Sequence, residues 1–513
     1  MNEFNAECDP QLHVSNLYED AELIDEVDLG DASYVCSYCN ALMWFEERIC
    51  KNNRNVSPEF TRCCMKGKVV LPLISKPPLL LYNLLHGIDN RSKHFKENIK
   101  AYNSMFAFTS IGGKVESAVN NGGGPPQFVL SGQNYHRIGT LLPQDADTPK
   151  FAQLYMYDTH NENDNRMKHF GGGSTGEKLD ISLVDDLKQM MDKNNVLAKS
   201  FRKVRDYLRF EESTSLALRL FRKQAKDPRT YNLPTSDEIA ALIVGDLDNI
   251  EVGRDIIVKK NGVLSRIHET HTSFIPLQYP LIFPYGEDGW QEEIPLSGIA
   301  ASTSSRLKPR VTLREFITFR IQERKSEHGN VLFSRRLFQK FVVDCFTMIE
   351  SQRLSYIRNN QKMIRADFLS GIEEAMSRGE MDPSSIGTRI VLPSSFTGGK
   401  RYMFDCCQDA MTICKRYGYP DLFITVTCNS AWNEIDRFVR PRNLRPDERP
   451  DVCCRVFKMK LDHLIATLKS GIIFGPLDAG MYAIEFQKRG LPHAHILLWL
   501  SKDHKLVKLQ LLT

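Results

Sequence analysis

The sequence predicts a multidomain α+β protein. Three observations lead there. The chain has 513 residues, enough for about three domains at roughly 100–200 residues each. Its apolar spacing switches along the chain between a helical period and strand alternation. Its 13 cysteines form two groups, six before residue 65 and seven from Cys345 to Cys454. The chain is 42% hydrophobic and 25% charged, which excludes a wholly disordered protein.

The elements are read in chain order. Residues 1–33 are acidic and are expected to form a disordered tail. Residues 34–104 form a Cys-rich, zinc-knuckle-like segment followed by an amphipathic helix, with Leu80, Leu84, Phe95 and Ile99 at helical spacing. Residues 105–290 read as a mixed α/β region. In it, 128–130 and 151–157 are expected strands, 161–177 a flexible polar loop, 180–226 helical, and 238–260 strand–turn–strand. The Pro-punctuated stretch 275–286 is expected to cross a core surface as a loop. Residues 291–384 comprise a linker and a basic helical region. Residues 385–513 hold a strand at 422–428, a helix at 452–468, and a hairpin of strands 481–487 and 493–500. The C-terminal part is therefore an antiparallel sheet flanked by helices.

Charge and cysteine usage exclude several classes. With 67 Lys and Arg against 63 Asp and Glu, the chain is no histone-like polycation. A local groove can still bind phosphates, because binding follows local charge. No apolar run reaches the ~18–20 residues a bilayer span needs, and the acidic N-terminus is no secretory signal. An odd, clustered cysteine count without a signal argues for a reducing compartment rather than a disulfide scaffold.

Metal is the leading explanation of the first cysteine group. Cys36-Ser-Tyr-Cys39 is a knuckle whose thiolates can grip one Zn²⁺. Cys63 and Cys64 can close the site. Adjacent cysteines rarely share one ion, so Cys50 or His86 stands as an alternative fourth ligand. The later pairs, Cys406/Cys407 and Cys453/Cys454, lack such spacing and read as packed or surface thiols.

The second candidate is His493-Ala-His495. In a strand, residues i and i+2 share a face, so the imidazoles lie side by side with Cβ atoms roughly 6–7 Å apart. Glu485 and Gln487 have the same spacing on the partner strand. Two histidines and a carboxylate or amide suit a divalent cation with open positions, Mg²⁺ or Mn²⁺. An isolated pair would more often be two structural histidines; the polar pair across the hairpin favours metal. Basic residues supply a candidate phosphate surface. From residue 306 to 365 there are 14 Lys and Arg against 5 Asp and Glu. Arg335, Arg336 and Lys340, with Lys488 and Arg489 in the hairpin turn, are the candidate DNA contacts.

Together these pieces resemble the HUH endonuclease module (His, hydrophobic, His) of Helitron rolling-circle transposases. The likeness includes the Cys36–Cys39 knuckle with Phe60-Thr-Arg-Cys63-Cys64, and Gly132-Gln-Asn-Tyr-His-Arg-Ile-Gly139. It continues through Leu277-Gln-Tyr-Pro-Leu281, Leu392-Pro-Ser-Ser-Phe396, Gly418-Tyr-Pro-Asp421 with the following strand, and Gly490-Leu-Pro-His-Ala-His495. The resemblance implies an HUH/Rep-like nuclease domain, incomplete here, that nicks single-stranded DNA at transposon ends. The His pair would hold the cation on the scissile phosphate and a tyrosine would attack. It also implies a helicase portion in the full-length protein and a nuclear location. The chain departs from the pattern in two ways. None of the 18 residues after His495 is a tyrosine, and no G-x-x-x-x-G-K-[ST] loop occurs. The expectation is a truncated front part, catalytically incomplete; the alternative is an inactive remnant that binds DNA and zinc.

Overall fold

A computed structural model describes residues 27–49, 57–115, 130–143, 148–170, 179–210, 216–221, 240–244, 255–260, 265–298, 310–361, 391–486 and 491–504. The chain divides into two units. The larger holds residues 32–393 with 439–449, and the smaller holds the remainder.

The larger unit begins with a short antiparallel pair, β1 (Tyr34–Val35) and β2 (Leu42–Met43). The expected single amphipathic helix is three: α1 (Leu79–His86), α2 (Asn90–Glu97) and α3 (Ile99–Phe106). The break has a local cause. Asp89 caps α2 by accepting from the Ser92 N–H, which starts a new helix after Gly87. β3 (Ser110–Val115) and β4 (Leu130–Ile138) follow. Residues 151–155 are a 3₁₀ turn, not the expected strand. Their apolar residues bury together, and the Tyr155 hydroxyl donates to the Phe106 carbonyl at 2.7 Å.

The expected polar loop holds a helix, α4 (Glu162–Phe170), followed by α5 (Ile181–Asn194) and α6 (Val196–Phe210). The helical reading of 180–226 fails at its end. There β5 (Leu216–Leu220) forms the centre of a sheet between β6 (Ala240–Val244) and β7 (Ile256–Lys259). β8 (Ser265–Ile267) completes a second sheet in the order β3-β4-β8. Further along, the described residues form α7 (Phe274–Gln278), α8 (Leu313–Arg320) and α9 (Arg336–Asn359). Thr312 and Glu315 form a capping box at α8. The core gathers Leu84, Phe95, Tyr102, Phe106, Leu187, Phe201, Phe338 and Phe341, and it includes Cys36, Cys63 and Cys64.

The stretch expected to lie across a core surface is instead inside it. Phe274 to Ile282 are all buried, and Asn103 and Thr109 hydrogen-bond the backbone and side chain of Gln278. Glu287 follows, only 3% exposed, with Oε1 lacking a partner among the described residues. Burial raises its pKa from 4.5 to about 7. The folded protein therefore keeps a proton that the unfolded chain releases. Stability is full below pH 4.5 and falls as pH rises through 7, by roughly 3 kcal/mol. Glu287→Gln is expected to raise stability by about that amount at pH 8 and to change little at pH 4, measured by chemical denaturation. Equal effects at both pH values would refute the buried acid.

The smaller unit contains α10 (Lys400–Tyr417), β9 (Leu422–Thr427), α11 (Asn433–Val439), α12 (Pro450–Lys469), β10 (Leu477–Phe486) and β11 (Pro492–Leu500). The sheet order is β10-β11-β9, antiparallel throughout. Ala494, Ile496, Leu498 and Val426 are buried and share one face by strand alternation. The acidic tail is not free at its end. Leu29 N–H donates to Glu434, Lys460 donates to the Val27 carbonyl, and Asp28 and Asp31 pair with Arg437. The Arg437 hydrogen bond pulls the Asp28 pKa down to about 2. Residues 1–26 lie outside the described residues.

Candidate metal centres

Two tight turns build the cysteine group. In the first, Asn40 N–H donates to the Cys36 carbonyl and Asn40 takes a left-handed conformation (φ 59°). In the second, Met65, Lys66 and Gly67 are all left-handed. That run is costly for two side-chain-bearing residues. It turns the Gly67 N–H onto the Cys64 Sγ at 3.3 Å. A Cβ on Gly67 would lie 2.8 Å from the Tyr38 ring, so glycine lets the two turns face each other.

The sulfurs of Cys36, Cys39, Cys63 and Cys64 lie within 4.8 Å of one another. Cys36–Cys64 and Cys63–Cys64 are both 3.8 Å apart. A tetrahedron with Zn–S bonds of about 2.3 Å has S–S edges of about 3.8 Å, so the donor set could hold a metal such as zinc. The adjacent cysteines both join the group. His86 does not; its ring packs at a tilt between Tyr82 and Phe333, and Cys50 lies outside the described residues. Neighbouring thiols, Cys39 first, stabilise a thiolate at Cys36 and lower its pKa, while Cys63 and Cys64 are pushed up by that thiolate. Arg324 adds positive charge, with Nε donating to the Cys39 carbonyl at 3.0 Å and Nη2 3.8 Å from its sulfur.

The second centre is set by strand register. Glu485 pairs with His493, and His493 pairs with Thr427; His495 lies opposite Thr425. Alternation puts all five on one face. The imidazoles stand 4.5 Å apart, and the ligand atoms of Glu485, His493 and His495 fall within 4.8 Å of one another. Thr427 Oγ1 is 2.8 Å from His493 Nδ1, and Thr425 Oγ1 is 3.2 Å from His495 Nδ1. A hydroxyl can donate or accept, so it steadies either tautomer and leaves Nε2 for a ligand. His495 Nε2 reaches Glu485 Oε1 at 3.0 Å. Phe423, 65% exposed, stacks on His495 with centroids 5.3 Å apart.

Residues 316–498 match the family model described as the Helitron helicase-like domain at the N-terminus. The chain carries a Helitron helicase-like N-terminal domain. No curated protein matches the chain. The match supports a transposase-related role, and the family is one associated with nucleic acid.

The Helitron helicase-like domain includes the whole His centre, while the cysteine group precedes it. Thr425 and Thr427 are the site residues that the sequence reading missed. Their signal was present, because they repeat the i, i+2 spacing of the histidines. Gln487, Lys488 and Arg489 lie outside the described residues. Arg335 and Arg336 open α9, whereas Lys340 is half-buried with Nζ 5.9 Å from the Tyr279 ring. The outer side of α9 is less basic than expected, since Val343 and Phe346 are exposed on it. Among the described residues, no helix is long and apolar enough to cross a membrane.

Proposed function

We propose that this chain is the N-terminal part of a Helitron-type rolling-circle transposase. It binds single-stranded DNA, and its His493, His495 and Glu485 hold Mg²⁺ or Mn²⁺ beside a phosphate. Cys36, Cys39, Cys63 and Cys64 hold a structural zinc. The observation that carries the reading is the convergence of two imidazoles and a carboxylate, each imidazole steadied by a threonine. When bound, a divalent cation polarises a phosphodiester for in-line attack. The chain's own residues orient that exchange: the threonines fix the rings, Glu485 balances charge, and Phe423 offers a flat exposed surface beside them.

A second reading, a DNA- and zinc-binding remnant that cleaves nothing, is favoured by one observation. No tyrosine lies on this face among the described residues of the three strands, and Tyr482 pairs with Ile496 on the opposite face. The experiment measures Mn²⁺ binding by calorimetry and adduct formation on denaturing gels. His493→Ala/His495→Ala is expected to weaken Mn²⁺ binding at least tenfold. Unchanged affinity would overturn the metal assignment. No covalent adduct with single-stranded DNA is expected, and a tyrosine-linked product would overturn the incomplete-site reading.

A further inference from the structure

Five cations from three stretches of the larger unit converge on a cavity of about 420 Å³. Lys93 and Lys96 come from α2, Arg335 and Arg336 from the start of α9, and Arg445 from the segment 439–449. Among the described residues, two carboxylates, Glu97 and Glu448, share the lining.

The cavity wall is built rather than incidental. Lys96 is 6% exposed, and Gly87 O is its acceptor among the described residues, at 2.5 Å. A buried ammonium with donors to spare calls for an anion. Arg335 sits at φ 52°, a conformation rare for a long side chain, and gives Nη1 to both Glu448 oxygens at 2.6 and 2.5 Å. Its Nε is buried without a partner among the described residues. Glu448 thus serves mainly Arg335, and Arg445 pairs with Asp447 at 3.0 Å, so neither carboxylate is spent on Lys93, Lys96 or Arg336. Burial first, and the charge of Arg335 second, lower the Lys96 pKa. The positive end of the 24-residue α9 adds to the field.

We infer that this cavity seats a phosphate of a single-stranded nucleic acid. The inference deepens the proposed DNA binding and rests on it, but not on the His centre. A cavity of this size exceeds one phosphate and suits a nucleotide unit.

The test uses the full chain and a short fluorescent oligonucleotide in buffer without added Mg²⁺ or Mn²⁺, with anisotropy as readout. Lys93 and Arg445 are exposed, so Lys93→Glu/Arg445→Glu should fold. Its affinity is expected to fall about tenfold, and its salt slope to shrink by about 0.7, the value for one phosphate contact on a single strand. Should that variant unfold, Lys93→Gln alone is expected to cost about threefold. Wild-type affinity and slope in a folded variant would overturn the pocket. No Mg²⁺ or Mn²⁺ is present in this assay, so failure of the metal reading stays separate. Oligonucleotides with a 5′-phosphate or a 5′-hydroxyl identify the source. Equal losses assign a backbone phosphodiester, and a loss confined to the 5′-phosphate assigns the strand end.

Discussion

Cys63→Ser is expected to abolish zinc binding and to destabilise the larger unit by more than about 4 kcal/mol. The wild-type chain should carry one zinc, measured by plasma mass spectrometry. The size of the effect follows from the geometry. Cys63 is 1% exposed and is surrounded by core residues, so its loss would open the four-sulfur group inside a packed region. Three remaining thiolates near Arg324 would lack the divalent charge that balances them. The second turn, with Met65 and Lys66 in left-handed backbone, would lose one of the two metal bonds proposed for it. His86→Ala should leave zinc untouched, because His86 packs on Tyr82 and Phe333. Zinc retained by Cys63→Ser and lost by His86→Ala would reverse the ligand assignment.

Glu162→Ala is expected to cost about 3–5 kcal/mol in chemical denaturation. Glu162 is 1% exposed and accepts from two guanidinium groups. Arg166 reaches Oε1 at 3.0 and 2.8 Å, and Arg202 reaches Oε2 at 2.8 Å. Arg166 also donates to the Met105 carbonyl and lies over the Phe106 and Tyr155 rings. Arg202 reaches the Tyr155 carbonyl at 2.7 Å and Asp192 at 2.9 Å. Removing the shared carboxylate leaves Arg166 buried without its ion pair and Arg202 with Asp192. Glu59→Ala is the control. Its pair with Lys66 is 42% exposed on both sides and should be worth under about 1 kcal/mol. A Glu162→Ala loss of that size would mean that water already reaches the network.

The Glu162 network explains one failure of the sequence reading. Residues 161–166 are almost wholly polar, so apolar periodicity is silent there and a loop is the natural expectation. Arg202 is 36 residues beyond Arg166, and nothing in their spacing announces that they share one carboxylate. β5 failed for the opposite reason. Its Leu216-Ala-Leu-Arg-Leu220 is buried on both faces, and a short apolar run carries no period to tell strand from helix. Regular alternation, by contrast, was legible. The hairpin and its neighbouring strand followed from Leu422–Thr427, the His-x-His pair and the Gly-Pro turn.

The sequence by itself determined the α+β class, the hairpin, the His pair and the cysteine knuckle. Each rests on local chemistry: a period of two, a short turn, or ligands a fixed few residues apart. The tertiary structure alone decided which residues join those pieces. It set both Cys63 and Cys64, which the spacing had already offered, against the first knuckle and put Thr425 and Thr427 behind the imidazoles. It also drew Lys93, Lys96, Arg335 and Arg445 to one cavity. These partners are distant in the chain. Register, helix packing and unusual turns choose them, and no local pattern encodes the meeting.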